Sequence, residues 1–226
     1  INFIFICTMA IIQVYENKKL TEYHLPDNWC DVKLYQYCDF MNAMQGEKNS
    51  TEIVMRTIES LTDLKLYQIN KMPYKYMFEA YKHLAKLLDK NPNEDLVFKL
   101  QGKDKVYGFN PDLHNMTMGE FVDLETAMEN PYQNMAKIMC ILYRKVIKEE
   151  GSKYAIEEYT GVKEEDLDFM RNINMDIVHS ASAFFLTLKE ELVQNLVHSL
   201  ENIKQELMDE GYTETLKKIR KLKKKP

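Results

Sequence analysis

The chain has 226 residues, of which 45% are hydrophobic and 29% charged, a composition typical of folded globular proteins. The formal net charge of −5 at pH 7 gives no overall positive field that would attract nucleic acid. Seven glycines and six prolines are too few for a loop-rich or all-β fold, so a mainly helical fold is favoured.

The chain begins with an apolar run, residues 1–8, that is far shorter than the roughly 20 residues a helix needs to cross a bilayer. No basic segment precedes this run, as one would in a secretory signal. We interpret residues 1–9 as an upstream or non-native segment with Met9 as the true start. No membrane partner is expected.

A first unit, residues 10–92, opens with a predicted β-hairpin. Residues 11–15 are β-branched and aromatic, residues 16–19 are polar, and residues 20–25 alternate between apolar and polar side chains. Apolar residues then recur at helical spacing. They predict helices over residues 32–44, from a cap at Ser50 or Thr51 to Leu61, and over residues 74–88 after Pro73.

A second unit, residues 93–210, has the same order of elements. Its hairpin combines alternating residues 96–100, a turn at 102–104 and a return over 106–109. Helices are predicted over residues 116–128, 132–147 and 175–208, the last of which ends at Gly211. Residues 211–226 form a basic C-terminal tail.

The two units match each other in sequence, which predicts an internal duplication. Their hairpins and first helices align at an offset of 84 residues (96 − 12), and their later helices align at an offset of 103 (166 − 63). The difference places about 19 extra residues (103 − 84) in the region 144–161, where we expect a longer helix.

These patterns predict an α+β fold that is predominantly helical, with two tandem hairpin-plus-helices units and a long C-terminal helix. An isolated hairpin is only marginally stable in water, so each hairpin needs a partner. The partner is either the helices of its own unit or the other hairpin, which would give one small antiparallel sheet.

The sequence contains none of the spacings that mark common catalytic or cofactor sites. Its glycines are isolated, so no phosphate-binding loop exists, and no GxSxG or HExxH motif occurs. An acidic cluster at 164–168 is interpreted as a helix start. We predict no catalytic, cofactor or metal residues, and the cysteines are expected to be buried thiols in a reducing compartment: Cys7, Cys30, Cys38 and Cys140.

Two sets of residues are candidates for binding. Trp29 is either a core anchor beneath the first hairpin or an anchor for a partner protein. The last helix carries an apolar stripe longer than a domain of this size needs, which predicts a docking face formed by Leu192, Leu196, Leu200 and Ile203.

The basic tail is a candidate for nucleic-acid contact. It carries seven cations near the chain end, which could neutralise phosphates without reading sequence. A solvated, disordered run of charge is the alternative. The cations are Lys217, Lys218, Arg220, Lys221, Lys223, Lys224 and Lys225.

Residues 116–124, MTMGEFVDL, followed by residues 135–144, MAKIMCILYR, resemble small proteins of tailed-bacteriophage gene clusters. Those proteins commonly pair a short hairpin with a helix start of this kind, and residues 27–29 and 181–186 are similar to them too. The first unit departs from the pattern, because Tyr35 stands where the second has Gly119. The resemblance implies a virion component or assembly factor, such as a tail-assembly chaperone, a neck protein or a packaged cargo protein.

The leading hypothesis is therefore a non-enzymatic phage virion or assembly protein that acts through protein–protein contacts, with other phage proteins or itself as partner. Its expected location is the host cytoplasm or the virion. The alternative is a nucleic-acid accessory protein that uses the basic tail.

Overall fold

The computed structural model describes residues 4–8, 11–16, 18–46, 49–92, 95–113, 116–151 and 153–186. It is a mixed α+β structure with two small antiparallel sheets, which confirms the α+β class of the prediction. The chain divides into two compact units, residues 1–182 and 183–226. Only residues 183–186 of the second unit lie in the described part, and they are helical.

The first sheet has three strands in the order β1–β2–β3: Ile4–Thr8, Ile11–Glu16 and Lys19–His24. Strands β2 and β3 form the predicted first hairpin, with Ile12 opposite Tyr23. Ile12 and Val14 point into the core because alternate residues of a strand face the same side. Strand β1 pairs with β2 from Ile4↔Tyr15 to Thr8↔Ile11, so residues of the segment interpreted as non-native form an edge strand.

The first half continues with a short 3-10 turn, Trp29–Asp31, and four helices: α1, Leu34–Met44; α2, Ser50–Leu61; α3, Leu66–Ile69; and α4, Tyr74–Leu88. The predicted helices are confirmed, but the cap of α2 is different. Asn49 accepts hydrogen bonds from the backbone N–H of Thr51 and Glu52, at 2.9 and 3.4 Å. Its amide oxygen therefore does what we expected of Ser50 or Thr51.

The second sheet has four strands in the order β4–β5–β6–β7: Lys99–Gln101, Val106–Phe109, Tyr143–Glu150 and Lys153–Ile156. Strands β4 and β5 form the predicted second hairpin. The two hairpins lie in different sheets, so the alternative in which they pair with each other is wrong. The side of β5 that β4 leaves open is occupied by β6, which pairs with β5 at Phe109↔Tyr143.

The second half contains α5, Met118–Met128; α6, Pro131–Leu142; α7, Glu164–Arg171; and α8, of which residues 175–186 are described. The prediction that the α6 helix runs to Ile147 is wrong. The chain leaves the helix at Tyr143, whose backbone is extended, because sheet pairing with β5 replaces the helical hydrogen bonds. The region 144–161, where we expected a longer helix, thus contains the β6–β7 hairpin.

Strand β7 is held against β5 at a glycine. The ring of Tyr154 packs directly on Gly108, and a side chain at that position would overlap the ring and press on Val146. The Tyr154 hydroxyl also donates a hydrogen bond to the Phe109 carbonyl, at 2.7 Å. The β6–β7 hairpin therefore packs on β5 through specific contacts of Tyr154.

The two halves are joined at the start of α1. The backbone N–H of Leu34 donates to the Ile173 carbonyl at 2.9 Å, and that of Met175 donates to the Val32 carbonyl at 2.8 Å. The Lys33 ammonium donates to the Asn174 side chain at 2.6 Å. The α7–α8 junction consequently covers the start of α1, where Leu34 is fully buried.

Candidate functional site

The first turn of α5 is closed by a reciprocal cap. The Thr117 hydroxyl accepts from the Glu120 backbone N–H at 3.3 Å, and the Glu120 carboxylate accepts from the Thr117 N–H at 2.6 Å. This pair satisfies two N–H groups that a helix start leaves unpaired. The cap therefore fixes the start of α5 at Met118, and with it which side chains lie on the outer face of the helix.

Apolar side chains cover the outer face of the first two turns of α5. Met118 is 76% exposed, and Phe121 and Val122 are exposed as well. Their spacing of three and four residues places them side by side on the helix. Leu124 and Ala127 point the other way and are buried, so α5 packs on the protein through one face and leaves an apolar one open.

The same outer face becomes acidic in the next turns. Glu125 and Glu129 are exposed and continue the i, i+4, i+7, i+11 series that Met118 and Val122 begin. No lysine or arginine occurs between residues 118 and 128. We call the surface formed by Met118, Phe121, Val122, Glu125 and Glu129 the α5 face.

A polar cluster lies beside the inner side of α5. Glu120 is 3% exposed, and its Oε1 lies 2.8 Å from the Arg144 Nη2 on β6. Apart from this ion pair, neither that oxygen nor the Arg144 Nε has a hydrogen-bond partner among the described residues. The ion pair connects helix to sheet, and both residues line an open cleft together with Asp112, Glu157 and Glu158.

Tyr159 also lines this cleft, and it binds a second carboxylate of α5. Its hydroxyl donates to Asp123 at 2.6 Å. Burial, with help from this hydrogen bond, raises the pKa of Tyr159, so the phenol remains a donor rather than an acid at neutral pH. The Glu120–Arg144 ion pair and the Asp123–Tyr159 hydrogen bond together connect α5 to β6 and to the segment that follows β7.

A second surface lies on the outer side of α4. Tyr74 is 71% exposed, and its ring stacks nearly parallel to that of Phe78, with centroids 5.9 Å apart and 10° between the planes. The Lys82 ammonium lies 4.7 Å from the Phe78 ring centroid, within cation–π range. A similar pair precedes it, Lys71 over the exposed ring of Tyr67.

Lysines flank these rings. Lys75, Lys82 and Lys86 are exposed and share one side of the helix with Glu79. Residues 65–90 hold six lysines against Glu79 and Asp89, a net charge of +4 (6 − 2), in a chain whose total is −5. We call the surface formed by Tyr74, Lys75, Phe78, Lys82 and Lys86 the α4 face.

Trp29 is buried, with 8% of its surface exposed. Its indole N–H donates to the Lys90 carbonyl at 2.9 Å, and its ring meets those of Tyr37 and His179 edge-on, at 5.8 and 4.7 Å. Trp29 is therefore a core residue, as one of the two alternatives predicted. Little of its ring surface is accessible to a partner protein. Burial lowers the pKa of His179, with Asp176 partly opposing the shift.

The predicted acidic cluster at 164–168 forms the start of α7 and is used structurally. Glu165 forms an ion pair with Lys105, and Asp166 accepts from the Tyr107 hydroxyl at 2.7 Å. Of the predicted buried thiols, Cys140 is buried, Cys38 is half-buried, and Cys30 is exposed. The prediction for Cys30 is wrong because it lies on the outer side of the 3-10 turn whose Trp29 faces inward.

The other predicted binding residues lie outside the described residues. These are the docking stripe Leu192, Leu196, Leu200 and Ile203, and the cations Lys217, Lys218, Arg220, Lys221, Lys223, Lys224 and Lys225. Most of the predicted helix 175–208 and its end at Gly211 lie there too.

The sequence patterns did not predict that the α4 face and the α5 face are exposed. Periodicity placed Tyr74 and Phe78 with the core residues of α4, because they sit at helical spacing beside Met77. The signal that could have separated them is the lysine series at 75, 82 and 86, which marks the solvent side of the same helix. On α5 the equivalent signal is Glu125 and Glu129.

No protein-family model matches the chain, and no curated protein or solved structure is significantly similar to it. Among the described residues, no group of three or more histidine, cysteine, aspartate or glutamate side chains is placed to hold a metal ion. Within the same part of the chain, no helix combines the length and the apolar character needed to cross a membrane.

Proposed function

We propose that this protein is a non-enzymatic assembly protein of a tailed bacteriophage, acting in the host cytoplasm or in the virion by binding other proteins. The observation that carries the proposal is the α5 face. Its apolar part lies in residues 116–124, the segment that resembles small phage proteins, and it exposes methionine, phenylalanine and valine together on a capped helix.

The chemistry of the α5 face defines the kind of partner it fits. Methionine and aromatic side chains are enriched at the centres of protein interfaces, where they fill a partner's apolar surface. The adjoining Glu125 and Glu129 favour basic side chains around that surface. The proposed partner therefore presents an apolar patch edged by lysine or arginine.

Size-exclusion chromatography with light scattering tests this function. The full chain is run alone and with each tail or neck protein of the same genome, and Phe121→Asp is compared with the wild type. We expect a complex that Phe121→Asp abolishes and that Leu20→Asp, an equally exposed apolar position on the first hairpin, leaves intact. A complex that survives Phe121→Asp, or none with any of these proteins, overturns the proposal.

The finer architecture also remains a proposal: the units 10–92 and 93–210 derive from duplication. In its support, α1 and α5 each have 11 residues and are related by the offset of 84. Both starts are closed in the same way, since Gln36 accepts from the Lys33 N–H at 2.9 Å as Glu120 accepts from Thr117. An experimental structure in which α1–α2 and α5–α6 do not superpose would contradict it.

Nucleic-acid contact through residues 217–225 remains the second prediction from sequence. Deleting residues 216–226 and measuring DNA binding at two salt concentrations tests it. Loss of a salt-sensitive affinity on deletion is expected, because phosphate contacts release counterions. An unchanged affinity contradicts it.

A further inference from the structure

We propose that the α4 face of one copy of this chain docks on the α5 face of a second copy. The inference rests on the proposed function and on the duplication, and it names the partner as another copy of the same protein. Three features of the described residues lead to it: a buried counterpart, complementary charge and matching spacing of the apolar and charged side chains.

The buried counterpart of the α5 face is the start of α1. At the offset of 84, Leu34 corresponds to Met118 and Tyr37 to Phe121. Leu34 is fully buried under the α7–α8 junction, and the Tyr37 ring lies 5.8 Å from that of His179 on α8. Met118, at the matching position, is 76% exposed. The second half therefore lacks the cover that the first half has.

The duplication indicates which segment that cover would be. The residues that cover α1, 173–179, correspond at the offset of 103 to residues 70–76, the junction of α3 and α4. His179 corresponds to Tyr76, so Phe121 is expected beside the first turn of α4. Within one chain both surfaces stay open, since Met118 and Tyr74 are more than two-thirds exposed. A second copy can supply what the first does not.

Charge selects the same pair of surfaces. The α4 face joins two aromatic rings to three lysines, and the α5 face joins three apolar side chains to two glutamates. Each surface thus has the apolar centre and the charged border that the other requires. The net charge of −5 opposes general attraction between copies, so association depends on these local patches.

The register of the two helices also agrees. Phe121, Glu125 and Glu129 lie four residues apart, as do Phe78, Lys82 and Lys86. If the helices run parallel, a difference of 43 places Phe121 level with Phe78 and both glutamates level with both lysines (121 − 78, 125 − 82, 129 − 86).

The contact uses different surfaces on the two copies. One copy gives its α4 face and keeps its α5 face, so a further copy can add or the pair can close on itself. Two short helical faces bury an area at the low end of protein interfaces. We expect reversible association that depends on concentration and weakens with salt, because the paired charges are exposed.

Sedimentation velocity of the full chain tests the proposal through charge reversal. Wild type is compared with K82E/K86E, which makes the α4 face acidic, and with E125K/E129K, which makes the α5 face basic. Each variant alone places like charges across the contact and is expected to raise the dissociation constant about tenfold or more. Circular dichroism verifies that each variant is folded.

Mixing the two charge-reversal variants is expected to restore the contact between the α4 face and the α5 face. In an equimolar mixture, every lysine face meets a glutamate face on the other variant, so the two are expected to co-sediment as wild type does. The variant with all four changes is expected to self-associate again. K19E/K103E, which changes exposed lysines elsewhere by the same charge, should behave as wild type does.

Three outcomes overturn the inference: wild type that stays monomeric at all concentrations, single-face variants that associate like wild type, and a mixture that fails to restore association. If the chain is monomeric but forms a complex that Phe121→Asp abolishes, the proposed function stands and only self-docking falls. Binding of an oligo-dT strand that K82E/K86E abolishes, in a monomeric chain, assigns the α4 face to nucleic acid instead.

Discussion

The starts of α1 and α5 show how one local structure can have opposite roles. Both follow a hairpin, both are closed by a side chain three residues into the helix, and both have 11 residues. Leu34 at the start of α1 is fully buried, whereas Met118 at the start of α5 is 76% exposed. What differs is the cover, since residues 173–175 lie across α1 and no described segment lies across Met118.

The largest expected difference is in the cost of truncating the matching residues. Leu34→Ala should lower the free energy of unfolding by about 3 kcal/mol, because it leaves a cavity in a packed site. Met118→Ala should change it by less than about 0.5 kcal/mol, because the side chain is already in water. Denaturant unfolding at low protein concentration measures both. Equal costs would show that the two helix starts are covered alike.

The next effect concerns the residue that closes each helix start. Glu120→Gln keeps the cap on Thr117 but removes the charge that faces Arg144. Leaving this partly buried guanidinium unpaired should cost about 2 kcal/mol. Glu125→Gln, on the exposed side of the same helix, is the matched control and should cost less than about 0.5 kcal/mol. If the two variants lose similar amounts of unfolding free energy, the ion pair does not stabilise the fold.

A smaller effect is expected where Trp29 supports the cover of α1. Trp29→Phe removes the donor to the Lys90 carbonyl while keeping an aromatic ring against His179. We expect a loss of about 1 kcal/mol, the typical net worth of one such hydrogen bond. Tyr67→Phe removes an exposed hydrogen bond to Glu16 and serves as the control. If both variants unfold like wild type, the hydrogen bond from the Trp29 indole to the Lys90 carbonyl does not stabilise the packing over α1.

The smallest effect is a dependence on pH. Burial lowers the pKa of His179 in the folded protein below its ordinary value of 6.5. Its neutral form therefore stabilises the fold fully above pH 6.5, and this contribution is lost as the pH falls through the lower folded pKa. Thermal unfolding across this range should show a decline in wild type that His179→Phe reduces. The exposed His24→Gln should keep the decline, and equal slopes in all three proteins would exclude His179 as its source.

Much of the fold could be predicted from local patterns. The hairpin at residues 11–24 and the helices α2 and α4 lie within a residue or two of their predicted bounds, because hydrophobic periodicity and cap residues act over one or two turns. Residues 143–150 could not be predicted this way. Their apolar spacing fits a helix. They form a strand because residues 143–145 pair with β5, more than 30 residues earlier in the chain, and residues 146–150 pair with β7.

The candidate surfaces were harder to predict than the fold. A period of 3.6 residues reports that a helix has an apolar face but not whether another segment covers it. Phe121 fits an apolar helical pattern as well as the buried Leu124 does. Exposure depends on residues 173–175 covering one helix start and not the other, which is a property of the tertiary structure.

The ring of Tyr154 against Gly108 has an evolutionary consequence. Under the proposed duplication, His24 of the first half corresponds to Gly108 at the offset of 84, and no second hairpin among the described residues packs there. The β6–β7 insertion and the bare backbone at residue 108 are therefore a matched pair that should be inherited together. Homologues that retain a tyrosine-bearing hairpin should retain glycine opposite it, whereas homologues that have lost the hairpin are free to carry bulk at that site.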